Sequence, residues 1–148
     1  MSTTFKGRVV LSGDVSGKAT VSRQAFNTSG SYMENMFAGR TDAAPCTDAS
    51  NKALFGKDLS GAILCVPTTV GSTMGGMCLM GMKAIGVGPQ ALLFSKPIDT
   101  LAAAGVLMSD IWKDARIVTV DMLGEEFLET VKMGDPISVH EDGRVVVG

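Results

Sequence analysis

The feature that most constrains this chain is a change of pattern across residues 62–83. Ala62-Ile63-Leu64-Cys65-Val66 is a short run without a polar residue, and its length and residue types are those of a strand. A turn of small residues follows, Pro67-Thr68-Thr69-Val70-Gly71-Ser72-Thr73. The next segment, from Met74 to about Lys83, is rich in Met and Leu; it reads as a buried helix if its glycines serve close packing. A strand, a turn and a helix start then gather Ser72 and the backbone N–H groups of residues 72–75 at one point. Free amides and the positive end of the helix dipole favour an anion there, whether carboxylate, phosphate or ionised hydroxyl. Gly71, Gly75 and Gly76 carry no side chain to block a ligand from that backbone.

Ser72 has an ordinary alternative role as a helix cap. The turn is not a Walker loop, because no Lys follows in the required arrangement. Nor is it a nucleophile elbow, since Gly71-Ser72-Thr73-Met74-Gly75 lacks the residue between the first Gly and the Ser.

Further along, Ala91-Leu92-Leu93-Phe94 and Arg116-Ile117-Val118-Thr119-Val120 read as strands. Between them Thr100 to Leu107 reads as a helix capped by Asp99. Strand, helix, strand, helix, strand is the pattern of parallel βαβ units. Residues 5–11 and 17–22 predict two neighbouring strands or a hairpin. The tail, 137–140 and 145–147 around Glu141-Asp142-Gly143-Arg144, predicts a second hairpin with a type I′-like turn. Trp112 is expected to cover an edge of the core. His140, the only histidine, sits beside the tail turn and reads as a surface residue, which disfavours a Ser-His-Asp hydrolase.

A chain of 148 residues, 45% of them apolar, is one domain's worth with material for a real core. A formal charge of −2 gives no basic excess, which argues against nucleic acid or an anionic membrane surface as partner. No apolar stretch reaches membrane-spanning length, and no apolar segment follows Lys6 to suggest a signal peptide. Cys46, Cys65 and Cys78 show no metal-ligand spacing and cannot all pair, so the expectation is a reduced, cytoplasmic protein. The ten methionines read as adaptable core filling, with a face for a partner subunit as the alternative.

Residues 23–51 are rich in Ser, Thr, Asn, Gly and Asp, with Phe26, Tyr32, Met33, Met36 and Phe37 interleaved. A connection of this length is functional or disordered, and the aromatics argue against disorder. Tyr32 to Phe37 is expected to form a short helical turn. Arg23, Arg40 and Lys52 are surface cations, any of which could meet a substrate carboxylate. Cys46, beside Pro45 in this polar loop, reads as the most accessible thiol and the best metal-ligand candidate among the three.

Gly56-Lys57-Asp58-Leu59-Ser60-Gly61-Ala62-Ile63-Leu64-Cys65-Val66-Pro67, followed by Gly71-Ser72-Thr73, resembles the small subunit of the aconitase X family. The resemblance extends from near Gly7 to near Val147. It implies an α/β fold, the aconitase-like swivelling β/β/α domain with parallel βαβ units and added hairpins. It also implies a two-subunit hydro-lyase in which this chain acts only with a large subunit. The family's proposed general base maps onto Ser72, with Gly71 and Thr73 shaping its amide cradle. The iron or iron–sulfur cluster would be held mainly by the large partner.

The family includes mevalonate 5-phosphate dehydratases and cis-3-hydroxy-L-proline dehydratases. Relatives carry a Ser-Phe-Trp-Gly-Gly-like stretch facing the substrate, where this chain has Ala25-Phe26-Asn27-Thr28-Ser29-Gly30-Ser31. That departure favours hydroxyproline over the phosphorylated substrate. Phe26, Asn27 and Arg23 are the implied substrate-binding residues beside Ser72. Two readings outside dehydration fit the same residues: a stand-alone small-molecule or anion-binding module, and a mobile carrier domain of another enzyme.

Overall fold

Two four-residue runs, Ile63-Leu64-Cys65-Val66 and Ala91-Leu92-Leu93-Phe94, are buried at every position. Strands of that kind need cover on both faces, and the architecture provides it. The computed structural model describes residues 2–148. In chain order these form β1 (Thr3–Lys6), β2 (Arg8–Leu11), β3 (Val15–Val21), β4 (Phe26–Asn27), α1 (Thr28–Ser31) and α2 (Met33–Phe37). There follow β5 (Ile63–Val66), β6 (Thr69–Val70), α3 (Gly75–Ala84), β7 (Ala91–Phe94) and α4 (Thr100–Lys113). The chain ends with β8 (Val118–Asp121), α5 (Glu125–Thr130), β9 (Pro136–Val139) and β10 (Arg144–Val147).

The main sheet has the order β1-β10-β9-β3-β5-β7-β8-β2. Strands β3, β5, β7 and β8 are parallel neighbours, as expected of βαβ units, and the flanking pairs are antiparallel. β1 and β2, at opposite ends of this order, are separated in sequence by Gly7 alone. The sheet therefore curls until its two edges meet at that residue. A Cβ on Gly7 would lie 2.5 Å from the Asp121 carbonyl oxygen and 2.6 Å from Val120 Cγ1, so closure at this corner has room only for glycine.

Curling divides the apolar residues by strand parity. Ile63, Cys65, Ala91, Leu93, Val118 and Val120 point inside, where Phe127, Leu128 and Val131 from α5 and the following turn fill the interior. Leu64, Val66, Leu92 and Phe94 point outward and are covered by Cys78, Leu79 and Met82 of α3 and Ala102 and Val106 of α4. The helices α3 and α4 cross at Gly76 and Gly105. A Cβ on Gly76 would stand 2.8 Å from the Leu101 carbonyl oxygen, and one on Gly105 would stand 2.8 Å from that of Gly76. The glycines of the Met-rich segment do serve close packing.

Several expectations are corrected. The strands within 5–11 and 17–22 do not pair with each other. The first run breaks at Gly7, β2 joins β8, and β3 joins β9 through its first half and β5 through its second. The tail hairpin forms, but only Gly143 (φ 89°) has a positive φ in its turn. Gly143 donates to the His140 carbonyl at 3.0 Å, so this is a turn followed by a left-handed glycine and not the primed type. α4 runs on to Lys113 and leaves Trp112 72% exposed, so Trp112 covers no core edge. Residues 23–62 are packed, with Phe26, Tyr32, Ala44, Leu54 and Leu59 fully buried. No helix among the described residues is long and apolar enough to cross a membrane.

Candidate functional site

The turn that carries Ser72 is held from two sides. On one side β6 pairs in parallel with β4, setting Thr69 opposite Phe26 and Val70 opposite Asn27. Asn27 is the cap of α1, its Oδ1 accepting the Gly30 N–H at 2.9 Å. The same Oδ1 would lie 2.5 Å from a Cβ on Gly71, whose φ is 106°. Both the backbone conformation and the space at 71 call for glycine. Gly71→Ala is expected to cost about 1–3 kcal/mol of stability, measurable as a lower urea midpoint; an unchanged midpoint would contradict the fit of Asn27 against this turn.

On the other side stands Asp99, the first residue before α4. Its Oδ1 accepts the Thr69 N–H at 2.9 Å and the Thr68 hydroxyl at 3.1 Å. Its Oδ2 accepts the Thr69 hydroxyl at 2.7 Å and the Ala102 N–H at 3.1 Å. Burial by itself would raise the pKa of this carboxyl. The hydrogen bonds from Thr69, Ala102 and Thr68 outweigh that and hold its pKa below the usual carboxylate range.

Ser72 is exposed. Its Oγ accepts the Met74 N–H at 3.1 Å, and its carbonyl accepts the Gly75 N–H at 3.0 Å. Helix α3 begins at Gly75 with Met74 as its cap residue, so the hydroxyl lies at the positive end of that helix. Ser72 is therefore not the cap of α3: it stands two residues before the cap position, and its Oγ closes a local turn onto the Met74 amide. Whatever charge develops on Oγ meets an amide hydrogen already directed at it.

Ser72 opens into a depression of about 370 Å³ shared with Asn27 and Ser29 and walled by Met33, Phe37 and Met74. The Ser29 hydroxyl at its margin has no hydrogen-bond partner among the described residues. The apolar wall is open to solvent, with Phe37 75% and Met74 51% exposed. Met77 on the next turn is 56% exposed. Core filling therefore fails for these methionines, although Met82 is buried as that reading requires.

Of the residues expected at the site, the structure gathers Gly71, Ser72 and Asn27. Thr73 is exposed beside Ser72 but does not line the depression. Phe26 is fully buried, stacked edge-on against Tyr32 with ring centroids 6.1 Å apart. It supports the turn from beneath and cannot touch a substrate. Arg23 lies in a separate depression with Pro67, Lys96, Glu125 and Glu129 and donates to the Glu129 carbonyl at 3.3 Å. The chain bends at Arg23 and Gln24, and the Arg23 side chain sits with Glu125 and Glu129 rather than with Ser72.

Cys46 is a further correction. It is only 2% exposed, because its N–H donates to the Lys57 carbonyl and its own carbonyl accepts the Gly56 N–H, both at 2.8 Å. That pairing draws the loop into the core. Burial pushes the Cys78 thiol up to about 11 and the Cys65 thiol higher still. No cluster of three His, Cys, Asp or Glu side chains suited to a metal occurs among the described residues. The donors present do not fit an iron centre built within this chain. His140 contacts Asp14 and Ser138, not Ser72.

Asp99 was legible in sequence as a cap, but not as the anchor of the turn. The signal was the Thr68-Thr69 pair, two hydroxyl donors directly after a buried strand.

Comparison with known proteins places this geometry among relatives. Residues 4–147 match the aconitase X swivel domain family. The chain is 30% identical over 138 residues to a phosphomevalonate dehydratase small subunit of Archaeoglobus fulgidus, covering 93% of this chain and 92% of that one. It is 30% identical over 143 residues to the subunit of the same name from Methanocella arvoryzae, covering 96% of each. Among solved structures, the holo-form of Thermococcus kodakaraensis aconitase X superposes with a TM-score of 0.80 at 26% identity, covering 99% of this chain and 98% of that one.

Proposed function

The chain belongs to the aconitase X swivel-domain family, and from that premise we propose that it carries the Ser72 half of a dehydratase site completed by a large partner subunit. It is a hydro-lyase small subunit. The observation that carries the site reading is the exposed Ser72 hydroxyl, held by the Met74 N–H at 3.1 Å in an open, apolar-walled depression.

Dehydration of a hydroxy acid needs a base for a carbon-bound proton next to the carboxylate. Serine holds its own proton at neutral pH. Here the Met74 amide and the start of α3 lower the cost of negative charge on Oγ. On this reading the Ser72 alkoxide takes the carbon-bound proton as the substrate's C–O bond breaks, the double bond forms and the hydroxyl leaves toward the partner's half of the site. Gly71 and Asn27 fix the turn so that Oγ faces the depression. Thr73 contributes its backbone to the same helix entry. On the same reading an iron or iron–sulfur centre is held mainly by the partner subunit; among the described residues no three His, Cys, Asp or Glu side chains gather around one point.

For the substrate, the names of the relatives favour mevalonate 5-phosphate. A second reading, cis-3-hydroxy-L-proline, is favoured by the lining of the depression, which includes no Lys or Arg to meet a phosphate. Reconstitution with the large subunit and a dehydration assay on both compounds separates them. Turnover of the phosphorylated acid alone is the expected result. Turnover of hydroxyproline alone would install the second reading. Activity on neither, together with carboxylate binding by this chain alone, would favour a non-catalytic anion-binding module.

A further inference from the structure

We propose that Asp99 is the positioning residue for Ser72, its carboxylate bolting the Thr68-Thr69 segment to the first turn of α4 and so fixing the turn on which the hydroxyl stands. The inference rests on the reading of Ser72 as the base. Two residues separate Thr69 from Ser72, and β6 is only two residues long. The pairing with β4 secures one edge of this segment; the other edge is secured by Asp99.

The residue type follows from the four contacts. Every group facing this side chain donates to it: the Thr69 and Ala102 amides and the Thr68 and Thr69 hydroxyls. Only a carboxylate can accept at both oxygens with no hydrogen in the way. An asparagine must turn its NH2 group toward either the Thr69 N–H or the Ala102 N–H. It therefore keeps the helix cap or the turn contact, but not both.

Asp99 is itself held in place. The Ile98 N–H donates to Asp121 Oδ2 at 2.7 Å, and Asp121 is fully buried against the Arg8 guanidinium at 2.6 Å. A set of ion-pair, amide and hydroxyl contacts, joined through the Ile98-Asp99 backbone, thus runs from Arg8 to Thr69, three positions before Ser72. A helix cap needs only the Ala102 contact. The three contacts to Thr68 and Thr69 serve the turn.

The test uses the two-subunit enzyme with Asp99→Asn and Thr69→Val. The second variant removes one hydroxyl contact and leaves the α4 cap intact. Amide hydrogen exchange at residues 69–73, melting temperature, kcat and KM are measured for each. Both variants are expected to exchange those amides at least about tenfold faster and to lose about tenfold in kcat, with KM within about twofold. Thr69→Val should lower the melting temperature less than Asp99→Asn does, because it keeps the α4 cap. Unchanged exchange at 69–73 in both variants overturns the proposal. So does faster exchange with unchanged kcat in an enzyme that Ser72→Ala inactivates. If Ser72→Ala stays active, the base reading fails by itself, and the exchange data still report whether Asp99 fixes the turn.

Discussion

Ser72→Ala is expected to lower kcat of the reconstituted enzyme by a factor of about 10²–10⁴ while the two subunits still assemble. The substitution removes one exposed oxygen and the acceptor of a single amide hydrogen bond. The Met74 N–H it leaves behind faces solvent and can bond to water. A stability cost of at most about 1 kcal/mol follows, the ordinary size for losing one exposed hydrogen bond. The apolar wall of Phe37, Met33 and Met74 is untouched, so a docking surface that uses it survives. Those two magnitudes separate the roles. A serine that only closes the turn loses a little stability and keeps its activity; a base loses activity by orders of magnitude at nearly full stability. Single-turnover dehydration and urea denaturation of the same variant decide the matter, and retention of most activity would reject Ser72 as the base.

What could be read from the chain beforehand follows the range of the interactions involved. The 62–66 and 91–94 strands were legible because each carries its burial in its own composition. The helix after Asp99 was legible because a cap acts across three residues. Closure of the sheet at Gly7 was not, since it depends on Asp121 and Val120, more than a hundred positions away. Phe26 and Cys46 were misplaced for one shared reason. Both sit among polar neighbours, yet the backbone of 23–62 finds its partners in Thr68, Lys57 and Gly56 and pulls them inward. Arg23 was placed near Ser72 by proximity in the loop, and the bend at Arg23 and Gln24 carries it into another depression. Of the candidate site, Ser72 and Gly71 announced themselves through local turn chemistry. The second function of Asp99 did not, because its hydroxyl partners lie about thirty positions back along the chain.

The largest stability effect is expected at the crossing of α3 and α4. Gly76→Val should destabilise the protein by about 3 kcal/mol or more, at or beyond the upper end for overpacking. At this size of chain that is a drop in melting temperature of roughly 6–12 °C. The atoms a new Cβ would meet are the Leu101 carbonyl oxygen at 2.8 Å and the Gly105 nitrogen at 3.2 Å. These are backbone atoms of a packed helix and cannot swing aside as a side-chain tip can. Helix propensity acts in the opposite direction, by about 1 kcal/mol at most for removing a glycine, so the steric cost wins. Gly81 provides the internal control, being in the same helix with nothing within 4 Å of its Cβ position. Gly81→Ala should therefore stabilise by up to about 1 kcal/mol. The two variants are predicted to move in opposite directions, and equal losses in both would show that α3 is merely sensitive to substitution. Because α3 begins only three residues after Ser72, a shift of its axis also displaces the hydroxyl. Gly76→Val should accordingly lose activity at temperatures where it remains folded, whereas Gly81→Ala should not.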